Sequence, residues 1–286
     1  MTTDMDLVED FEAARPRLLS LAHRILGSVH DAEDAVQTAW LRTRTVNREA
    51  VDNPDGWFTT VTARLCLDQL RTRQRRGELP LLADAIPAEH LAADEEFLRR
   101  EDVSRALLVL LTRLTPDQRV AYVLHDLFDV PFERVAAVLD TSVPNAKKLG
   151  SRARIRLRDR DEAADMSELT THAEVVDAFL AAARGGDMDR LVEVLAPDAV
   201  RTVEPGLLRG TAVAEVRGAQ AVAEETRYFL DRIRASTALL VNGRPGAVIA
   251  PGGHPLAGIG FEIADGRITR ITITRLESTD RLSCRP

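Results

Sequence analysis

Cysteine is almost missing: Cys66 and Cys284 are the two in 286 residues. Two thiols so far apart support no disulfide framework and make no metal-type spacing. Aromatic residues are only 4% of the chain, and no apolar run approaches the roughly 20 residues that a membrane-crossing helix needs. No N-terminal stretch joins basic residues to an apolar core, so we expect a cytoplasmic chain with no secretory leader. An excess of positive charge is missing too. The formal net charge is -7, which argues against nucleic-acid binding if only the sum counts. The sum hides segregation, so charge has to be read piece by piece.

What is present is a globular composition, 45% hydrophobic and 29% charged, on a chain long enough for two or three compact units. Residues 1–77 read as helical. Val8, Phe11, Leu18, Leu21 and Ile25 recur at helical spacing up to a stop at Gly27. The acids Asp31, Glu33 and Asp34 open a second helix that runs through Ala35, Ala39 and Trp40, where they suit the positive end of the helix dipole. The turn Asn53-Pro54-Asp55-Gly56 precedes a third helix, with Trp57, Val61, Leu65 and Cys66 inward. It ends in the basic run Arg71, Arg73, Arg75 and Arg76, which follows Arg64, with Asp68 placed to pair with Arg64 or Arg71. Residues 78–102 change character: Pro80 and Pro87 break helices and acids dominate, the composition of a solvated linker. Short helices return over 103–158, a second acidic linker spans 159–170, and 171–286 mixes helices with strands.

Between Leu114 and Arg158 the pattern is that of a helix-turn-helix. Thr115-Pro116-Asp117-Gln118 is a helix start, with Thr as cap, Pro in the first turn and Gln three residues on. Phe132, Val135, Ala136 and Leu139 form the inner side of a shorter helix, and a turn over Asp140 to Val143 follows. An Asp tolerates left-handed backbone there. In the last helix Ala146, Leu149, Ala153 and Leu157 make a narrow apolar stripe. Lys147, Ser151, Arg154 and Arg158 form a second stripe with Lys148, Arg152 and Arg156 beside them, and there is no acid from Pro144 to Arg158. One face serves the domain and the other suits a polyanion, as in a recognition helix lying in the major groove. A solvated surface helix has the same composition, and the preceding short helix and tight turn favour DNA.

The order of parts adds a resemblance. His30-Asp31-Ala32-Glu33-Asp34-Ala35-Val36-Gln37, the stretch from Asn53-Pro54-Asp55-Gly56-Trp57-Phe58 to Asp68 and Arg71, and the stretch from Leu114 through Val130-Pro131-Phe132-Glu133 to Arg154 are together similar to the extracytoplasmic-function sigma factors over residues 8–158. The resemblance implies an all-α sigma region 2 bundle and a helix-turn-helix region 4. It implies core-polymerase contacts to the clamp helices at Asp31, Glu33, Asp34 and Gln37, and -10 element contacts at Asn53, Trp57, Arg64, Arg71, Arg73 and Arg75. It implies reading of the -35 element by Lys147, Lys148, Ser151, Arg152, Arg154 and Arg156. Holding a melted strand needs neutralised phosphates and a place for bases. Trp57, at helical spacing with Val61, reads as core more than as a stacking platform.

The tail reads as α+β. Val175, Phe179 and Ala182 make a helical stripe stopped by Gly185-Gly186, Asp187 caps the next helix, and strand-like runs occupy 200–203, 239–241, 247–249, 258–263 and 268–274. Asp265-Gly266 signals a hairpin. This order resembles a SnoaL-like, NTF2-type cone around a pocket. A subgroup of such sigma factors carries a fused tail of this kind, and the resemblance implies a domain that modulates polymerase and promoter binding in cis. Glu204, Asp231 and His254 are catalytic candidates by residue type alone; His254 is expected in a surface turn. A non-catalytic tail with a possible small ligand in its pocket is expected, with no metal and no cofactor. Two readings of other classes stay open: a helix-turn-helix regulator that never joins polymerase, and an isomerase or hydrolase carrying a DNA-binding module.

Overall fold

The computed structural model describes residues 2–43, 51–78, 83, 86–158, 166–208, 213–277 and 279–285. They form two compact units, Met1–Leu81 with Ile86–Leu157, and Leu82–Ala85 with Arg158–Pro286.

The first unit begins with three helices, α1 (Thr2–Leu26), α2 (Val29–Thr43) and α3 (Pro54–Arg76). Phe11, Leu18, Leu21, Ile25, Phe58, Leu67 and Leu70 pack between them with Cys66. Val8, expected on the inner stripe, is 40% exposed; it lies near the end of the stripe. Asn53 caps α3 by accepting from the Gly56 N–H at 2.9 Å. Gly77, at φ 70°, closes the helix in the left-handed conformation that glycine adopts without strain. The expected solvated linker contains a helix, α4 (Ala88–Arg100), starting just after Pro87. The acids of this segment masked an apolar face: Phe97 and Leu98 are buried, and Asp94, also buried, accepts from the Val29 N–H at 2.6 Å. The stretch Leu79 to Leu82 and most of the second linker lie outside the described residues.

Among the described residues of this unit four further α-helices follow: α5 (Arg105–Leu111), α6 (Pro116–Tyr122), α7 (Phe132–Leu139) and α8 (Val143–Arg158). Thr115 and Gln118 make a reciprocal capping box at the start of α6. A π-helical turn, Val123–Leu127, widens its end. Asp140 sits at φ 53° between α7 and α8, as an Asp can. On α8 the inner stripe is Ala146, Gly150, Ala153 and Leu157. Gly150 takes the place expected of Leu149, because Phe132 of α7 approaches to 3.4 Å of where a Cβ would stand.

The second unit places α9 (Met166–Gly185), α10 (Met188–Val194), α11 (Ala219–Thr226) and α12 (Leu230–Arg234) against a curved sheet, an α+β cone. Its strands are β1 (Leu195–Val203), β2 (Glu215–Arg217), β3 (Ser236–Val241), β4 (Arg244–Ile249), β5 (Ala257–Ala264), β6 (Arg267–Arg275) and β7 (Leu282–Ser283). The order is β2-β1-β6-β5-β4-β3-β7. β1 and β6 are parallel, and the other pairs are antiparallel. Asp265 and Gly266, at φ 49° and 72°, turn β5 into β6, the geometry of a tight hairpin. Phe179 and Leu180 of α9 meet Ile259, Phe261 and Ile271 of the sheet in the core. Ala83 belongs to this unit by its contacts: it is buried, and its N–H donates to the Pro255 carbonyl at 3.1 Å.

Candidate nucleic-acid interface

The buried stripe of α8 fixes which residues face away from the domain. Lys147, Lys148, Ser151, Arg152 and Arg156 are exposed along it, and so is Ile155, at 66%. Arg154 differs from the other basic residues. Its guanidinium donates to both Asp126 carboxylate oxygens, at 2.8 and 3.0 Å, and is turned toward the π-helical turn of its own domain. Nothing in the spacing announced Asp126 as its partner; the widened turn presents it. Lys147 Nζ lies 6.0 Å from the Phe132 ring, at the limit of a cation–π contact.

On α2, Glu33, Asp34 and Gln37 share an exposed face, and Leu41, 55% exposed, continues it one turn on. Asp31 stands apart from that face. It accepts from Gln69 at 2.9 Å and pairs with Arg73 at 2.7 Å, both side chains mostly covered.

The α3 residues divide in the same way. Asn53 and Arg75 are exposed, and Arg75 donates to the neighbouring Thr72 hydroxyl at 3.1 Å. Trp57 is half-buried, edge-on to Phe58 at 5.7 Å. Neither Arg64 nor Arg71 pairs with Asp68. Arg64 donates to the Ala137 carbonyl of α7 at 2.7 Å, and Arg71 donates twice to Asp117 of α6, at 2.7 and 3.1 Å. Between the same elements Arg119 is buried, donates to the Arg24 carbonyl at 3.2 Å, and shares its surroundings with Arg73. Burial first, and Arg73 second, push its pKa down to about 9. Arg17 and Arg24 stand over the Phe128 ring. The unit thus packs its region 4-like helices on the arginine-bearing side of α3.

The second unit holds a cavity of about 60 Å³ between α9, α11, α12 and the sheet. Its wall is mainly aliphatic and aromatic, with Arg201, Glu225 and Arg232 as its charged lining. Arg201 interrupts the apolar run of β1, a signal the sequence carried. Glu204, Asp231 and His254 are absent from the described lining. Glu204 accepts the Arg275 N–H at 2.7 Å, and Asp231 is exposed. His254, expected in a surface turn, is 3% exposed, because Gly252 and Gly253, both at positive φ, fold its loop inward. Among the described residues no three His, Cys, Asp or Glu side chains group as a metal site, and no described helix is long and apolar enough to cross a membrane.

Two family models match the first unit: Sigma-70 region 2 over residues 11–76 and Sigma-70, region 4 over residues 104–157. The chain is 40% identical over 280 residues to the ECF RNA polymerase sigma factor SigJ of Mycobacterium tuberculosis, covering 93% of this chain and 87% of that protein. It is 32% identical over 282 residues to the probable ECF RNA polymerase sigma factor SigI of the same organism, covering 94% and 93%. The crystal structure of the M. tuberculosis SigJ is 36% identical, with a TM-score of 0.45, and covers 94% of this chain and 96% of that one.

Proposed function

The chain belongs to the ECF RNA polymerase sigma factors, and on that premise we propose how its residues divide the work of promoter recognition. Sigma factors act with core polymerase and promoter DNA to start transcription; they are not enzymes. Region 4 reads the -35 duplex through Lys147, Lys148, Ser151, Arg152 and Arg156, with Arg154 shaping the domain behind them. The exposed basic face of α8 carries this reading: five polar or basic side chains, no acid, on a helix set for the major groove. Glu33, Asp34 and Gln37, with Leu41 as an apolar centre, form the face for the polymerase clamp helices. Asp31 braces α3 behind it. Asn53, Trp57 and Arg75 meet the melted -10 strand as the unit stands, Arg64 and Arg71 join them once region 4 lets go, and Arg73 joins them on leaving Asp31. The boundaries are 1–77 for region 2, 78–102 for the first linker, 103–158 for region 4, 159–170 for the second linker and 171–286 for the tail. The protein works in the cytoplasm, where the polymerase is.

The tail modulates initiation in cis. Supporting this, Ala83, which falls in the sequence between regions 2 and 4, hydrogen-bonds to Pro255 of the cone. A tail that holds this linker limits how far the two regions separate. The cone's cavity is a place for a small ligand that changes this hold.

Promoter-dependent transcription with purified core polymerase, comparing full-length protein with a version ending at residue 165, tests the reading. Transcription by at least one form is expected, with different activity in the two. Silence from both sinks promoter recognition, and equal activity removes the modulating tail.

A further inference from the structure

The first turn of α8 carries a polar side chain that the basic contacts leave unused. Asn145 is exposed there, at the end of a recognition helix whose residues meet base edges. At about 100° per residue, it lies within about 60° of Lys148 and Arg152 around the helix. It is also off the buried stripe of Ala146, Gly150, Ala153 and Leu157. Ser142 caps the helix: its carbonyl accepts from the Ala146 N–H at 2.9 Å and its hydroxyl from the Asn145 N–H at 3.4 Å. The cap therefore needs only the Asn145 backbone, and asparagine is itself a poor helix former.

The side chain is nevertheless held. Its Nδ2 donates to the Thr141 hydroxyl at 2.9 Å, which occupies one of the two amide hydrogens. This bond fixes the plane of the amide. The other hydrogen and Oδ1 meet no described protein group.

A free donor beside a free acceptor decides which base fits. In the major groove adenine presents N7 as acceptor and N6–H2 as donor, and the amide meets both. Guanine presents two acceptors, N7 and O6, so Oδ1 would face O6 with no proton between them. On the same edge cytosine offers only a donor and thymine only an acceptor.

We propose that Asn145 reads an adenine of the -35 element, with Thr141 as the residue that positions its amide. The proposal rests on the reading of α8 as the major-groove helix and gives that helix a base that its lysines and arginines do not read.

The test uses holoenzyme formed from core polymerase and full-length protein, and a promoter pool randomised over the -35 element. Parent holoenzyme is expected to select adenine at a position where holoenzyme with Asn145→Ala selects no single base. Changing that adenine to guanine should weaken parent binding roughly 5- to 150-fold, the worth of a bidentate base contact. Replacing each selected adenine in turn by 7-deazaadenine removes only the N7 acceptor. At the Asn145 position this should weaken the parent about fivefold, one net hydrogen bond, and leave Asn145→Ala unchanged. Thr141→Val keeps the size of the side chain and removes the hydroxyl. It should narrow the adenine-over-guanine ratio with the salt slope as in the parent, whereas a merely loosened helix start would weaken all sequences alike. The 7-deazaadenine scan of the parent needs no variant, so it decides even if a variant does not fold. The proposal is overturned by the same base preference in parent and Asn145→Ala, or by a scan in which no adenine responds. Uniform weakening by Asn145→Ala with a shallower salt slope, the mark of a phosphate contact, overturns it too. Failure of the underlying reading looks different: Lys148→Ala and Arg152→Ala would then leave the salt slope unchanged as well.

Discussion

Arg152 and Arg154 are two residues apart on α8 and carry the same charge, yet their surroundings give them different jobs. Arg152 is exposed, while Arg154 is held by Asp126, whose side chain is only 19% exposed. Replacing Lys148 or Arg152 by Ala should weaken binding to a -35 duplex and make its salt dependence shallower by about one per lost phosphate contact. Fluorescence anisotropy at a series of salt concentrations reads this slope, and parent-like slopes would mean that α8 does not lie along DNA. Arg154→Ala should instead cost about 1 kcal/mol of stability, between the values of exposed and buried pairs, with the slope little changed. The cysteines separate in a similar way. Cys66 is buried, and burial pushes its thiol pKa up, whereas Cys284 is exposed. The thiolate is the reactive form, so a raised pKa means less of it at any working pH. A thiol reagent at pH 8 should therefore label Cys284 in the native protein and both cysteines only after denaturation. Rapid native labelling of Cys66 would show that the region 2 core opens.

Among the elements, α7 and α8 meet where Phe132 faces Gly150. A Cβ there would lie 3.4 Å from the Phe132 ring, ordinary contact, and the backbone is helical. Gly in a helix interior costs about 1 kcal/mol relative to Ala. Gly150→Ala should then stabilise the protein by about 0.5–1 kcal/mol, read as a higher denaturant midpoint with the same slope. A loss of stability would mean that Phe132 cannot give way. The same elements show how much the sequence disclosed. The capping box at Thr115 and Gln118, the left-handed Asp140 and the Asp265-Gly266 hairpin are local, and each was legible because a few adjacent residues determine it. Helix α4 was hidden, since its acids outweigh Phe97 and Leu98, whose burial depends on packing against the rest of the unit. The partners of Arg64, Arg71 and Arg154 were hidden for the same reason: they lie between 28 and 73 positions away. Charge type and helix face can be read along a chain, but the partner of a charge belongs to tertiary structure.

For the first unit as a whole, these hidden partners put two of the arginines proposed to hold the -10 strand in contact with region 4. Arg64 and Arg71 touch α7 and α6, so a melted strand that needs them competes with region 4. The Arg71–Asp117 pair is the part of this contact most open to test, because both side chains are about 40% exposed. Such a pair contributes at most about 1 kcal/mol, or up to about fivefold in an equilibrium. Asp117→Asn keeps the size of the side chain and removes the charge that holds Arg71. Binding of a single-stranded oligonucleotide carrying the -10 sequence to full-length protein should then tighten by up to about fivefold. The gain should shrink with added salt, which already screens the pair in the parent. Unchanged or weaker binding by a folded Asp117→Asn protein would mean that region 4 does not withhold Arg71 from DNA. The brace would then lie in the buried Arg119, whose bond to the Arg24 carbonyl salt reaches much less.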